Sequence, residues 1–75
     1  MIEGMPSKTL GARNHLPGTI DTIEMGDVLA YITVRVGDNL IESVITRRSA
    51  EQMSLKKGDS VTAVIKATEV MIAKP

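Results

Sequence analysis

One segment of this chain alternates so regularly that it leaves little choice of local structure. Over residues 28–36 every second residue, beginning with Val28, is apolar, and the positions between them include Tyr31, Thr33 and Arg35. A repeat of two matches a β-strand, in which successive side chains point to opposite faces, and it does not match the 3.6-residue repeat of a helix. The segment is therefore predicted to be a strand, with an apolar face that begins at Val28 and a second face that begins at Leu29.

Turn signals on either side of this segment predict two further strands. Residues 37–39, Gly-Asp-Asn, form a typical tight turn into a second strand over 40–46, so that the two strands make a hairpin. Upstream, residues 15–24 have a weaker strand pattern, in which Gly18 is a candidate β-bulge. Residues 25–27, Met-Gly-Asp, then turn the chain into the 28–36 strand.

The second half of the chain adds one helical turn and two more strands. Residues 49–52 have the spacing of a helix capping box, which predicts Ser49 as the N-cap of a short turn over 50–53. Residues 60–67 alternate again, and residues 70–73 form a last short apolar segment before Pro75. Both segments are predicted to be strands.

This order of elements predicts an all-β fold. Five short strands, with a helical turn between the third and the fourth, suit a small antiparallel barrel of the oligonucleotide/oligosaccharide-binding (OB) type. Residues 10–75 are expected to form that domain, and residues 1–9 are expected to be a flexible leader. Apolar residues also occur on the second strand face, as at Leu29 and Leu40, which predicts contact with other copies.

Composition excludes several classes of function. The 75 residues hold nine basic and nine acidic side chains, one aromatic residue and no cysteine. A neutral chain whose single aromatic is Tyr31 lacks the positive field and the stacking surface of a nucleic-acid-binding barrel. His15 is the one histidine and cysteine is absent, which excludes a Cys/His zinc site. Because no motif has paired carboxylates either, the sequence offers no plausible acid–base or nucleophile set for an enzyme.

Size and segment hydropathy bear on assembly and location. A 75-residue chain without disulfides or structural metal is marginally stable alone, and oligomerisation is the remaining support. The sequence contains no run of about 18 apolar residues, so no membrane-spanning helix is predicted. The first ten residues have no hydrophobic signal core. A cytoplasmic protein is therefore expected.

Three short segments combine hydrogen-bond donors with small residues. They are Gly-Ala-Arg-Asn at 11–14, Ile-Thr-Arg-Arg-Ser at 45–49 and Ile-Lys-Ala-Thr at 65–68. None of them contains an aspartate or a glutamate. A small oxyanion that only accepts hydrogen bonds suits such segments better than a metal ion, a sugar or a nucleotide does. Hydrogen phosphate would leave its proton unpaired, at a cost of about 1–3 kcal/mol. Sulfate is harder to exclude, because it also only accepts hydrogen bonds and differs from other tetrahedral oxyanions mainly in size.

Taken in order, these segments resemble the molbindins, molybdate-binding proteins built from a Mop unit of the TOBE class. GARNHLPGTI is similar to the family's opening SARNxxxGxV, and residues 42–74 are similar to its second half. The resemblance implies a five-stranded barrel that exchanges strands, usually to a hexamer arranged as a trimer of dimers. It also implies that molybdate or tungstate binds between subunits, for storage or buffering in the cytoplasm. No organic cofactor is expected.

The resemblance also implies which residues contact the oxyanion. They are Gly11, Ala12, Arg13, Thr46, Ser49, Lys66 and Ala67. Gly11 stands where the family has serine, which removes a hydroxyl donor while the main-chain N–H is kept. Each of these side chains also has an ordinary structural interpretation. Arg13 and Lys66 could be surface cations, Thr46 a strand threonine, and Ser49 a helix cap. The Arg47-Arg48 pair is interpreted as solvated or as a partner of acidic residues.

Several other functions stay open at this point. The Mop unit also occurs in molybdate-responsive regulators and transporter ATPases, so this chain could be a sensor or oligomerisation domain of that kind. The loss of the serine hydroxyl at Gly11 makes a purely structural unit conceivable. A nucleic-acid-binding barrel is disfavoured by charge and aromatic content. A pterin-type molybdenum cofactor is disfavoured because almost no aromatic surface is available to stack a pterin.

Overall fold

The protein is a single curled antiparallel sheet with a short helix. The computed structural model describes the backbone of residues 12–75 and the side chains from residue 14 onward. Its strands are β1 (Ala12–Met25), β2 (Leu29–Val36), β3 (Asn39–Thr46) and β4 (Ser60–Lys66), in the sheet order β3-β2-β1-β4. Helix α1 (Arg47–Gln52) lies between β3 and β4, and a 3₁₀ turn (Ala67–Glu69) follows β4. The all-β class and the presence of a helical turn between the third and fourth strands are confirmed.

The fourteen-residue strand β1 organises the sheet because its two halves pair with different neighbours. Its first half, up to Thr19, pairs with β4, and its second half, from Thr19, pairs with β2. The register with β2 shifts between Ile20 and Thr22, which leaves Asp21 as an extra residue in β1. A bulge of this kind bends and twists a strand, so β1 can carry both pairings round the curl of the sheet.

The predicted bulge at Gly18 was wrong, and the structure gives another reason for this glycine. Gly18 pairs regularly with Val61 of β4. A Cβ atom at Gly18 would overlap the main-chain carbonyl oxygen of Arg35 and lie 2.9 Å from Cγ1 of Val34. Glycine is therefore required because the backbone of β2 passes directly over this point of β1.

The core is small and lies on the concave face of the sheet. Its fully buried members are Ile20, Ala30, Ile32, Val34 and Ala50. Three of them belong to β2, which confirms the alternation predicted for that strand. Val28 departs from it, since it precedes β2 and is 73% exposed.

The β2–β3 hairpin has the predicted tight turn. Val36 pairs with Asn39, so Gly37 and Asp38 form a two-residue loop. Gly37 has a φ of +61°, which glycine adopts without strain. The second strand begins at Asn39, one residue before the predicted start, because Asn39 joins the pairing and leaves the turn to its two neighbours.

The predicted strand over residues 70–73 is absent from the described chain, which has four strands instead of five. Residues 70–75 have no regular structure, and Met71 and Ile72 are 92% and 90% exposed. A strand needs a neighbouring backbone for its hydrogen bonds, and no described strand pairs with this segment. The sheet therefore stays open, with β3 and β4 as its edges, and does not close into a barrel.

An apolar cleft of about 250 Å³ marks where the barrel is open. Its two sides are the edge strands, with Ile41 and Ile45 on β3 and Val61 and Ile65 on β4. Its floor is the core itself. We refer to this feature as the β3–β4 cleft.

Substitution of Gly18 by alanine should destabilise the protein, because the added methyl group would collide with the carbonyl oxygen of Arg35. Crowding of this kind typically costs about 1–3 kcal/mol. We expect a loss of about 2 kcal/mol in the free energy of unfolding, measured by urea denaturation. Thr22→Ala, at an exposed position of the same strand, is the control. An unchanged stability in Gly18→Ala would contradict the close approach of β2.

Candidate oxyanion site

Two of the predicted donor segments meet at one end of the sheet. Ala12, the first residue of β1, pairs with Lys66, the last residue of β4, and Asn14 pairs with Ile65. The segments are more than fifty residues apart in sequence, and the antiparallel register joins them. We refer to Ala12, Arg13, Lys66 and Ala67 as the strand-end group. Gly11 lies outside the described residues.

A change of register within this group leaves Arg13 without a paired residue in β4. Ala12 pairs with Lys66 and Asn14 with Ile65, so Arg13 is the extra residue of a second β-bulge in β1. Bulges redirect side chains and are frequent beside functional sites. The side-chain amide of Asn14 also donates a hydrogen bond to the main-chain oxygen of Ile65, at 3.3 Å.

Lys66 and Ala67 complete the group from the β4 side. Lys66 is exposed, and within residues 12–75 it makes no salt bridge. Ala67 begins the 3₁₀ turn that Glu69 ends. The carboxylate of Glu69 therefore belongs to the same turn, three residues after Lys66. A carboxylate thus directly follows the donor-rich 65–68 segment, and the spacing of Glu69 from Lys66 in the sequence is the signal for it.

The hydroxyl groups of Thr46 and Ser49 form a second cluster, the hydroxyl pair. Thr46 is the N-cap of α1, and its Oγ1 accepts a hydrogen bond from the main-chain N–H of Ser49 at 3.0 Å. The same Oγ1 donates to Oγ of Ser49 at 2.9 Å.

The predicted N-cap at Ser49 was wrong, because Thr46 occupies that position. Thr46 has an extended backbone, with φ of −72° and ψ of 149°, and α1 begins at Arg47. A cap must precede the first helical residue, whereas Ser49 is the third residue inside the helix. A cap at Ser49 predicts that the helix begins at residue 50, three residues after its actual start at Arg47.

The two arginines between Thr46 and Ser49 have different environments. Arg47 bonds to Glu51 at 2.9 Å through Nε and donates to the carbonyl oxygen of Gly26 at 3.0 Å. The bond to Gly26 connects α1 to the turn between β1 and β2. The bond to Glu51 confirms the prediction that this arginine pair has an acidic partner. Arg48 is exposed and has no ion pair in the part of the chain that the structure describes.

The strand-end group and the hydroxyl pair lie at opposite ends of β1. Lys66 is beside Ala12, the first residue of β1. Thr46 is beside Leu29, at the end of β2 that pairs with the last residues of β1. A strand rises about 3.3 Å per residue, so the fourteen residues of β1 lie between the two clusters along the sheet. Within residues 12–75 the strand register therefore places Ala12 beside Lys66 and puts the hydroxyl pair at the other end of β1.

No alternative metal site is present in residues 12–75. No group of three or more histidine, aspartate or glutamate side chains there is arranged to hold a metal ion. His15 is half-buried in β1, opposite Val64, and takes part in an interaction there. None of the helices in this part of the protein is long and apolar enough to span a membrane.

Comparison with known proteins identifies the family of this chain. The TOBE domain family matches residues 11–72. Molybdenum-pterin-binding protein 1 of Clostridium pasteurianum is 38% identical over 65 residues, which are 85% of this chain and 96% of the relative. This chain belongs to the TOBE family. Within that family it is of the Mop, or molbindin, type, which confirms the resemblance seen in the sequence.

Solved structures of molbindins share the fold. A molybdate-binding protein from Sporomusa ovata superposes with a TM-score of 0.82 at 35% identity, over 87% of this chain and 97% of that protein. The cytoplasmic molybdate-binding protein ModG, solved with molybdate bound, gives a TM-score of 0.74 at 40% identity, over 89% of this chain and 46% of ModG. At these identities the likeness extends beyond the fold to the family.

The corrected position of the helix cap leads to a testable difference between two hydroxyl residues. Thr46→Ala should lower the free energy of unfolding by about 1 kcal/mol, because the cap to the N–H of Ser49 is lost. Ser49→Ala keeps that N–H and should cost clearly less. Thr46→Ser, which retains the hydroxyl, is the control. Chemical denaturation measures all three, and a larger loss in Ser49→Ala than in Thr46→Ala would contradict the cap.

Proposed function

We propose that this protein binds molybdate or tungstate between copies of itself, for intracellular molybdenum storage or homeostasis. The observation that carries the proposal is the pairing of Ala12 with Lys66, which sets the Ala12-Arg13 and Lys66-Ala67 segments side by side. The family and its molybdate-binding members support the choice of ligand.

The chemistry of the strand-end group suits a tetrahedral dianion. Arg13 and Lys66 together match two negative charges, and both side chains only donate hydrogen bonds. Ala12 and Ala67 have small side chains that let main-chain N–H groups approach an anion closely. Burying a dianion is costly unless its charge is met by paired donors. Charge-assisted hydrogen bonds from a guanidinium and an ammonium group are the strongest available to meet that need.

The separation of the two clusters within one chain favours a site shared between copies. The hydroxyl pair lies at the far end of β1 from the strand-end group. Residues Thr46 and Ser49 of one copy would therefore join Arg13 and Lys66 of another around a single anion. A ligand held in this way would stabilise the assembly, since whatever binds only the assembled state shifts the equilibrium toward it.

We further propose that copies assemble by exchanging the segment 70–75. The β3–β4 cleft offers two unpaired strand edges and an apolar floor. Residues 70–73 have a strand-like sequence, and Met71 and Ile72 are almost fully exposed. A segment from a second copy, inserted in this cleft, would gain hydrogen bonds on both sides and bury these side chains. A hexamer arranged as a trimer of dimers is the proposed final assembly.

The remaining parts of the proposal concern location and chemistry. We place the protein in the cytoplasm and assign it no catalytic reaction and no organic cofactor. Several relatives are named molybdenum-pterin-binding proteins. However, Tyr31 is the single residue of the Phe, Tyr and Trp classes in the sequence, so almost no aromatic surface is available to stack on a pterin. A sensor or oligomerisation domain of a molybdate regulator or transporter is the alternative, and a nucleic-acid-binding module is less favoured.

Calorimetric titration of the wild-type protein with molybdate, tungstate and sulfate tests the proposed ligand. We expect saturable binding of the first two, and Arg13→Ala and Lys66→Ala should each weaken it by about one to two orders of magnitude. That estimate follows from the typical 1.5–3 kcal/mol of a hydrogen bond to a charged group.

Lys57→Ala is the matched control, because Lys57 is an exposed lysine in the turn before β4. It should bind molybdate like the wild type. Wild-type affinity in both Arg13→Ala and Lys66→Ala would show that the strand-end group is not the site.

Replacement of Ile72 by aspartate tests the proposed strand exchange. A charge placed in the apolar β3–β4 cleft is strongly unfavourable, so Ile72→Asp should shift the mass in analytical ultracentrifugation from the oligomer to the monomer. Leu40→Asp is the control, since Leu40 is a half-exposed apolar residue that does not line the cleft. An intact oligomer in Ile72→Asp would rule out segment 70–75 as the exchanged element.

A further inference from the structure

We infer that Asn14 is a positioning residue that sets the spacing between the two cations of the strand-end group. The inference rests on the proposed oxyanion function. It adds a residue that would not touch the anion but would determine how Arg13 and Lys66 are presented to it.

The first observation is a hydrogen bond between distant parts of the chain. The side-chain amide of Asn14 donates to the main-chain oxygen of Ile65 at 3.3 Å, across 51 residues of sequence and in a half-buried position. Asn14 follows Arg13 directly, and Ile65 precedes Lys66 directly. This one bond therefore connects the residue that follows Arg13 to the main chain of the residue that precedes Lys66.

Because the peptide unit is planar, the bond from Asn14 to the carbonyl of Ile65 also restrains the main-chain N–H of Lys66. The carbonyl group of Ile65 and the N–H group of Lys66 belong to the same rigid plane. A donor that holds the carbonyl in one direction therefore also fixes the direction of the Lys66 N–H. Loss of the amide would leave this last peptide of β4 with less restraint, at the point where the 3₁₀ turn begins.

The register explains why the spacing of the cations needs to be fixed. If the pairing of Asn14 with Ile65 continued regularly, Arg13 would stand directly opposite Lys66. Like charges in directly opposed positions destabilise a strand pair. The observed bulge places Ala12 opposite Lys66 instead and leaves Arg13 as the extra residue. Asn14 is the first regularly paired residue after that bulge, so its additional bond anchors the shifted register.

The chain offers a matched control because it has one other asparagine in a strand. Asn39 is exposed at the start of β3, and no side-chain hydrogen bond is found for it among the described residues. Asn14→Ala and Asn39→Ala therefore make the same chemical change with and without the cross-strand bond. Asn14→Asp is a third variant, which keeps the shape of the side chain but replaces its donor by an acceptor.

Two measurements on the full chain test the inference. Calorimetric titration with sodium molybdate should show about tenfold weaker binding for Asn14→Ala and Asn14→Asp, as is typical when the support of a ligand-binding group is removed. Asn39→Ala should bind like the wild type. Amide hydrogen exchange of the ligand-free proteins should be faster at Lys66 and Ala67 in the Asn14 variants only, while their melting temperatures stay close to that of Asn39→Ala.

Equal molybdate affinity in all four proteins would overturn the inference, and so would a loss of affinity that merely follows a lower melting temperature. Binding by none of the proteins, the wild type included, would instead refute the proposed function. In that case the exchange rates at Lys66 and Ala67 still decide whether Asn14 positions this peptide, and unchanged rates would refute it.

Discussion

The pairing of β1 with two different strands is the constraint on which the rest of the structure depends. Because the first half of β1 pairs with β4 and the second half with β2, segments from both ends of the chain are held in one sheet. The bulge at Asp21 and the close passage of β2 over Gly18 allow β1 to bend between these partners. The strand-end group exists because β4 runs back along β1 to its first residue.

The same arrangement leaves the protein incomplete in two respects. Its sheet has two unpaired edges around an apolar cleft, and five fully buried side chains form its core. The predicted anion contacts are divided between two ends of β1, so neither cluster alone combines cations with hydroxyl donors. A second copy would remedy both deficiencies, because it could supply a strand to the cleft and the missing donors to the site. Stability and ligand binding are thereby linked in the proposed assembly.

Sequence reasoning succeeded where a short-range pattern determined the structure. The alternation in β2 predicted which residues share a face, and the turn signal at residues 37–39 predicted the hairpin. It failed where a longer-range contact decided the outcome. Thr46, not Ser49, caps the helix because β3 ends at Thr46, and Gly18 serves a backbone contact with β2 instead of a bulge. Residues 70–73 have a strand-like sequence, but a strand forms only when an edge is available to pair with it.

The sequence alone determined the strand-rich class, the neutral charge, the donor-rich segments and the family to which they belong. All of these depend on residue identity and local spacing. Only the tertiary structure decided that Ala12 meets Lys66, that Arg13 is the extra residue of a bulge, and that Asn14 binds the carbonyl of Ile65. The register between strands fifty residues apart is fixed by how the whole sheet curls, and no local pattern encodes it.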